Sequence, residues 1–249
     1  MEDAAPEGAE RERGARPARR SAAPQPKQFL PAERPRARRP AKVPEPVVNE
    51  LAAATGPRRA PRIAERLAAA TRAYERDRYP EARQILRELA DEAPAAASVR
   101  ELYGLTLYRM GRWREAIKQL EAFHQLTRSY DQHPTMADCY RALKRHREVD
   151  RLWRELAEAS PSAELVTEGR IVAAGSRADR GDLAGAISML EAPARRITRP
   201  REHHLRLWYA LADLYERAGE IPAARDVFGR ILRNDRSFFD AAERLAALG

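Results

Sequence analysis

The chain has 249 residues, 43% of them hydrophobic and only 6% aromatic, with a formal net charge of +9 at pH 7. No apolar run approaches the ~20 residues that a membrane-spanning helix needs, and the acidic start Met1-Glu2-Asp3 has no hydrophobic stretch behind it. No membrane partner is therefore expected, the cytoplasm is the expected location, and the single cysteine, Cys139, excludes an internal disulfide.

The charge is unevenly placed. Between Arg11 and Lys42 lie eleven basic residues: Arg11, Arg13, Arg16, Arg19, Arg20, Lys27, Arg34, Arg36, Arg38, Arg39 and Lys42. Only Glu12 and Glu33 oppose them, so this stretch carries +9. The first ten residues carry −4, which leaves +4 for residues 43–249. Ten of the eighteen prolines also precede residue 58. Such a composition cannot bury enough apolar surface to offset its ordering entropy, so residues 1–58 are expected to form a disordered Pro/Arg-rich arm. Three readings of the arm stand side by side. It binds phosphates of RNA without sequence preference, as its guanidinium groups and the lack of aromatic interleaving imply. It lies in an acidic groove of its own chain. Or it is a passive solubilising tail.

From residue 63 onward, apolar and small residues recur at helical spacing with a longer period of about 34 residues. The first unit, 63–96, carries Ala70, Ala73, Ala82, Leu86, Leu89 and Pro94. The second, 97–130, carries Gly104, Leu107, Gly111, Ala116, Leu120 and Phe123. The third, 130–163, carries Met136, Ala137, Tyr140, Val149, Trp153, Leu156 and Pro161. The fourth, 167–200, keeps Ala173, Ala174, Gly181, Ala186 and Leu190 without the aromatics. The fifth, 205–236, shows Trp208, Leu211, Ala212, Tyr215, Gly219, Ala224, Phe228 and Ile231. Each unit reads as two amphipathic helices joined by a tight turn. Small residues at 104, 137, 174 and 212 face small residues at 82, 116, 186 and 224, where the helices must approach closely. Residues 237–249 read as a terminal capping helix, with Ser237 as N-cap and Asp240 completing a capping box.

The set of positions resembles the tetratricopeptide repeat, whose pattern is a Trp, a Leu-Gly pair, a Tyr, then Ala, an aromatic, Ala and Pro. The runs Met136-Ala137-Asp138-Cys139 and Val172-Ala173-Ala174-Gly175 also resemble a group of bacterial tetratricopeptide proteins with Arg-rich amino-terminal arms. The resemblance implies an all-α, right-handed helix-turn-helix solenoid that works as a non-enzymatic scaffold for a protein or peptide partner. It further implies that the first helix of each pair lines a concave groove. By register the groove positions are Leu67, Thr71, Glu101, Leu105, Tyr108, Asp138, Arg141, Gly175, Tyr209, Asp213 and Glu216. Family members that clamp a terminal carboxylate use an Asn where this chain has Thr71, Leu105, Asp138, Gly175 or Asp213. That clamp is therefore not expected, and an extended peptide with apolar and basic residues is.

No phosphate-cradling glycine loop, nucleophile elbow or metal-protease pattern occurs, so no catalytic residue, metal or cofactor is expected. Cys139 reads as a small residue packed between helices, because Asp138 and Cys139 are adjacent on one helix and the nearby His133 and His146 fall at helix ends. His203 and His204 read as an exposed loop pair.

Overall fold

The computed structural model describes residues 43–249; among the described residues there are twelve α-helices and no strand. Five helix pairs follow one another: α2 (Ala60–Glu75) with α3 (Tyr79–Glu92), α4 (Ala97–Arg109) with α5 (Trp113–Thr127), and α6 (His133–Ala142) with α7 (His146–Ala159). Then come α8 (Ala163–Asp179) with α9 (Leu183–Ala194), and α10 (Glu202–Ala218) with α11 (Ile221–Asn234). Helix α1 (Glu45–Thr55) precedes the pairs and α12 (Ala241–Ala247) closes them. Second helices pack on the next first helix throughout, and α8 also packs directly on both α6 and α10. No described helix is long and apolar enough to cross a membrane.

One turn geometry makes all five pairs. A residue with positive φ ends each first helix: Asp77 (57°), Gly111 (70°), Lys144 (58°), Gly181 (88°) and Gly219 (76°). The amide after it donates back to the preceding helix: Arg78 N to Ala73 O, Arg112 N to Leu107 O, Arg145 N to Tyr140 O, Asp182 N to Arg177 O and Glu220 N to Tyr215 O, at 2.8–3.0 Å. This is the left-handed C-terminal stop that satisfies carbonyls orphaned at a helix end. Glycine adopts it without Cβ strain, and three of the five turns use glycine.

Between paired helices the small residues lie where close approach was expected. Ala82, Ala116, Ala174, Ala186, Ala212 and Ala224 are fully buried. A Cβ on Gly104 would stand 2.6 Å from Leu120 Cγ, so α4 and α5 touch there. Tyr140, Trp208, Tyr215 and Phe228 fill the remaining space, while Trp153 is half-buried under the Arg170 guanidinium, 5.0 Å from its ring centroid. Cys139 is fully buried, and burial raises its thiol pKa well above the ordinary value. The core falls into two clusters that meet at α8, which gives Val172 to the first and Ile171 and Ala174 to the second.

Three expectations need correction. The arm was expected to run to residue 58, but residues 45–55 form α1, with Leu51 fully buried in the first core cluster. Pro44 and Pro46 flank its start, where a missing N–H costs nothing, so prolines that lower the segment's apparent order in fact begin a helix. Ser237 does not cap the last helix: its hydroxyl donates to Asp235 Oδ1 at 2.9 Å, and the helix begins at Ala241. Phe238 and Ala241 are buried there, and Asp240 accepts from Tyr209 instead of from an amide of its own helix. Finally, His203 and His204 lie in the first turn of α10 and not in an exposed loop; His203 is buried, and His204 Nδ1 accepts from Arg201 N at 3.0 Å. The eleven basic residues from Arg11 to Lys42 lie outside the described residues.

Candidate interaction face on the first helices

Most residues assigned by register to a groove are held by other side chains of the chain. Leu67 belongs to the first core cluster, and the Thr71 hydroxyl donates to Leu67 O at 2.9 Å. Leu105 is half-buried on α4. Glu101 accepts from Gln132 Nε2 at 2.9 Å, across from α4 to the start of α6, and burial raises its pKa. Two further carboxylates bridge helices that are apart in the chain. Glu50 of α1 accepts from Ser98 N in the first turn of α4 at 3.1 Å. Glu168 of α8 pairs with Arg206 of α10, Oε1 to Nε at 2.8 Å.

The centre of the face is a continuous polar row. The Tyr108 hydroxyl donates to Asp138 Oδ2 at 2.8 Å, and Arg141 Nη1 lies 3.5 Å from Asp138 Oδ1. Arg141 then reaches α8, donating from Nε to Asp179 Oδ2 at 2.6 Å and from Nη2 to Asp179 Oδ1 at 3.2 Å. Arg217 of α10 stands 4.0 Å from both Asp179 and Asp213. Arg244 of α12 completes the row, at 2.9 Å from Asp213 and paired with Glu216. Its guanidinium also lies over the rings of Phe228 (5.0 Å) and Tyr209 (5.3 Å).

Burial divides this row. Tyr108, Asp138 and Arg141 are all buried. Burial raises the Asp138 pKa despite the opposing Arg141 charge, and it raises that of the Tyr108 hydroxyl as well. The Asp179, Asp213 and Glu216 side chains keep 29%, 22% and 21% of their surface exposed, so the row becomes wet towards α10 and α12. Tyr209 is half-buried beside it, donates to Asp240 Oδ1 at 2.6 Å, and has its pKa pushed up to about 12, first by burial.

Gly175 has a steric reason. A Cβ there would come within 3.0 Å of Arg141 Cζ, so the glycine leaves the space in which the guanidinium crosses α8. Register alone missed Asp179, Arg217 and Arg244. The signal that could have found the first two is an alternation of charge at the ends of consecutive first helices, Arg141, Asp179 and Arg217. Among the described residues no group of three or more His, Cys, Asp or Glu is placed to hold a metal ion.

Residues 205–248, which cover α11, α12 and most of α10, match the family model of the tetratricopeptide repeat. The fold is the tetratricopeptide-repeat solenoid. A thermophilic tetratricopeptide-repeat protein of Thermus thermophilus superposes with a TM-score of 0.58 at 17% identity, over 75% of this chain and 98% of that one. A protein of Podospora anserina described as a putative kinesin light chain with nearly identical TPR-like repeats superposes with a TM-score of 0.54 at 15% identity. That match covers 71% of this chain and 98% of the other. No curated protein sequence matches this chain. Solenoids of stacked helix pairs present extended surfaces that generally serve protein–protein interaction.

Proposed function

We propose that the chain is a non-enzymatic scaffold that holds an extended protein segment, carrying basic and apolar residues, along its first helices. The observation that carries this reading is the graded polar row. It holds four carboxylates (Asp138, Asp179, Asp213 and Glu216) against three guanidiniums (Arg141, Arg217 and Arg244), and three of the carboxylates, Asp179, Asp213 and Glu216, keep part of their surface exposed. Glu101, Leu105, Tyr209, Asp213 and Glu216 are the contact residues in this reading, together with Asp179. Leu67, Thr71, Tyr108, Asp138 and Arg141 stand behind them and keep the first helices in register. Side chains fixed in this way lose little freedom when a partner binds, which favours affinity.

The test is selection of peptides from a displayed random library by the intact protein, repeated with the isosteric pair Asp213→Asn and Glu216→Gln. The expected result is enrichment of peptides with Lys or Arg among apolar residues, and loss of at least tenfold in affinity in the double variant. Peptides without basic residues, or unchanged affinity in a folded double variant, would refute the reading.

A further inference from the structure

The junction between α9 and α10 forms an open surface cleft of about 470 Å³. Arg170, Arg196, Arg199 and His204 line it, with Pro193 and Ile197 as an apolar side, and no carboxylate is among the lining residues. Three arginines and a histidine therefore share one site without an acidic neighbour in its lining, whereas several arginines elsewhere are paired. Arg66 has Glu88 and Glu92, Arg180 has Asp150, and Arg206 has Glu168. Arg170, Arg196 and Arg199 make no ion pair with any described residue.

Arg170 is the most informative of them. It projects from α8, is half-buried, and its Cζ lies 5.0 Å from the centroid of the Trp153 ring. Burial lowers its pKa, and no carboxylate stands near enough to offset that effect. A partly buried cation with a ring face on one side and no carboxylate partner is a position that an anion would stabilise. His204 adds a directed donor. Its Nδ1 accepts the Arg201 amide, so in the neutral ring the hydrogen sits on Nε2. Burial lowers the His204 pKa, which keeps that neutral form at pH 7.

We infer that this pocket binds a small organic phosphate, its phosphate groups held by Arg170, Arg196 and Arg199 and its less polar part against Pro193 and Ile197. Guanidinium forks match the paired oxygens of a phosphate, and three arginines lining one cleft suit a ligand with two or more negative charges. The volume falls within the range of small-ligand sites, roughly 300–1,000 Å³, and the mixed lining is of the kind that orients a ligand with one charged end. A long nucleic-acid strand would instead be met by an open stripe with stacking aromatics, and the pocket lining holds no aromatic residue beyond His204.

Calorimetric titration of the full chain with pyrophosphate, a nucleoside diphosphate and the nucleoside alone tests the inference. The comparison is between the charge reversal Arg196→Glu with Arg199→Glu and a control reversal, Arg62→Glu with Arg72→Glu, at exposed sites on α2. The expected result is binding of pyrophosphate, tighter binding of the nucleoside diphosphate, and none of the nucleoside. Affinity should fall at least tenfold in the pocket variant and stay within twofold in the control. Absence of pyrophosphate binding, or survival of binding in the pocket variant as association with the basic residues 11–42 would give, would overturn it. So would binding of a labelled single-stranded RNA that is lost in the pocket variant while pyrophosphate never binds.

Discussion

Arg141→Met is the perturbation that most directly probes the polar row. Arg141 is 6% exposed and is the guanidinium within contact of Asp138, whose side chain is 7% exposed. The methionine keeps most of the aliphatic volume and removes the charge, which leaves Asp138 with only the Tyr108 hydroxyl. Breaking a buried pair by deleting one partner costs about 3–5 kcal/mol, because the remaining charge stays in a low-dielectric site. For a domain of this size that corresponds to a fall of roughly 6–20 °C in Tm. The second substitution, Asp138→Asn, removes the stranded charge and keeps an oxygen to accept from Tyr108, so the double variant is expected to be more stable than Arg141→Met alone. pH supplies a further check. Burial raises the Asp138 pKa, so the site is favoured when neutral, and stability from this group is present at low pH and lost as pH rises through the folded pKa. The Arg141→Met penalty should therefore be smaller at about pH 5 than at about pH 8. Urea denaturation followed by circular dichroism measures all three. A loss under about 1 kcal/mol, or a double variant no better than the single one, would refute the buried-row account.

Three other outcomes are expected. Lys144 occupies with φ 58° the position that glycine holds in three of the five turns, so Lys144→Gly should raise stability by about 0.5–1 kcal/mol, read from the denaturation midpoint. Gly104→Ala forces a methyl against the buried Leu120 and should cost about 1–3 kcal/mol in the same assay. Burial raises the Glu168 pKa from 4.5 to about 7, so the wild-type protein should lose stability relative to Glu168→Gln as pH rises through that window. The full effect is about 3 kcal/mol at 1.36 kcal/mol per pKa unit, and parallel pH profiles of the two proteins would exclude it.

The repeat was legible because close helix packing leaves a chemical trace: Ala82, Ala116, Ala186 and Ala224 are small where bulk cannot fit. Turns were legible only where glycine marks them. Asp77 and Lys144 adopt the same backbone without the marker, because the stop is set by the hydrogen bond back to the helix and not by residue type alone. Helix α1 was hidden by averaging, since the proline count that describes residues 1–42 also covers Val47, Leu51 and Ala52. The groove positions were legible by register, but their burial was not. Whether Asp138 meets water depends on how far Arg141 crosses α8, and that depends on Gly175, 34 residues away in the chain. Arg196 and Arg199 lie at the end of the fourth unit, beyond its last repeat position at Leu190, so nothing in their spacing pointed to a shared cleft with Arg170.

The exposed carboxylates of the first-helix row, Asp179, Asp213 and Glu216, are proposed to receive a protein segment. Backbone hydrogen exchange of the full chain, with and without a selected Lys/Arg-containing peptide, tests this most directly. Protection by the peptide is expected to be confined to the first helices α4, α8 and α10 and to α12, and to be abolished by Asp213→Asn with Glu216→Gln. Protection on the second helices α3, α5, α7 or α9 instead, unaffected by that pair, would contradict it.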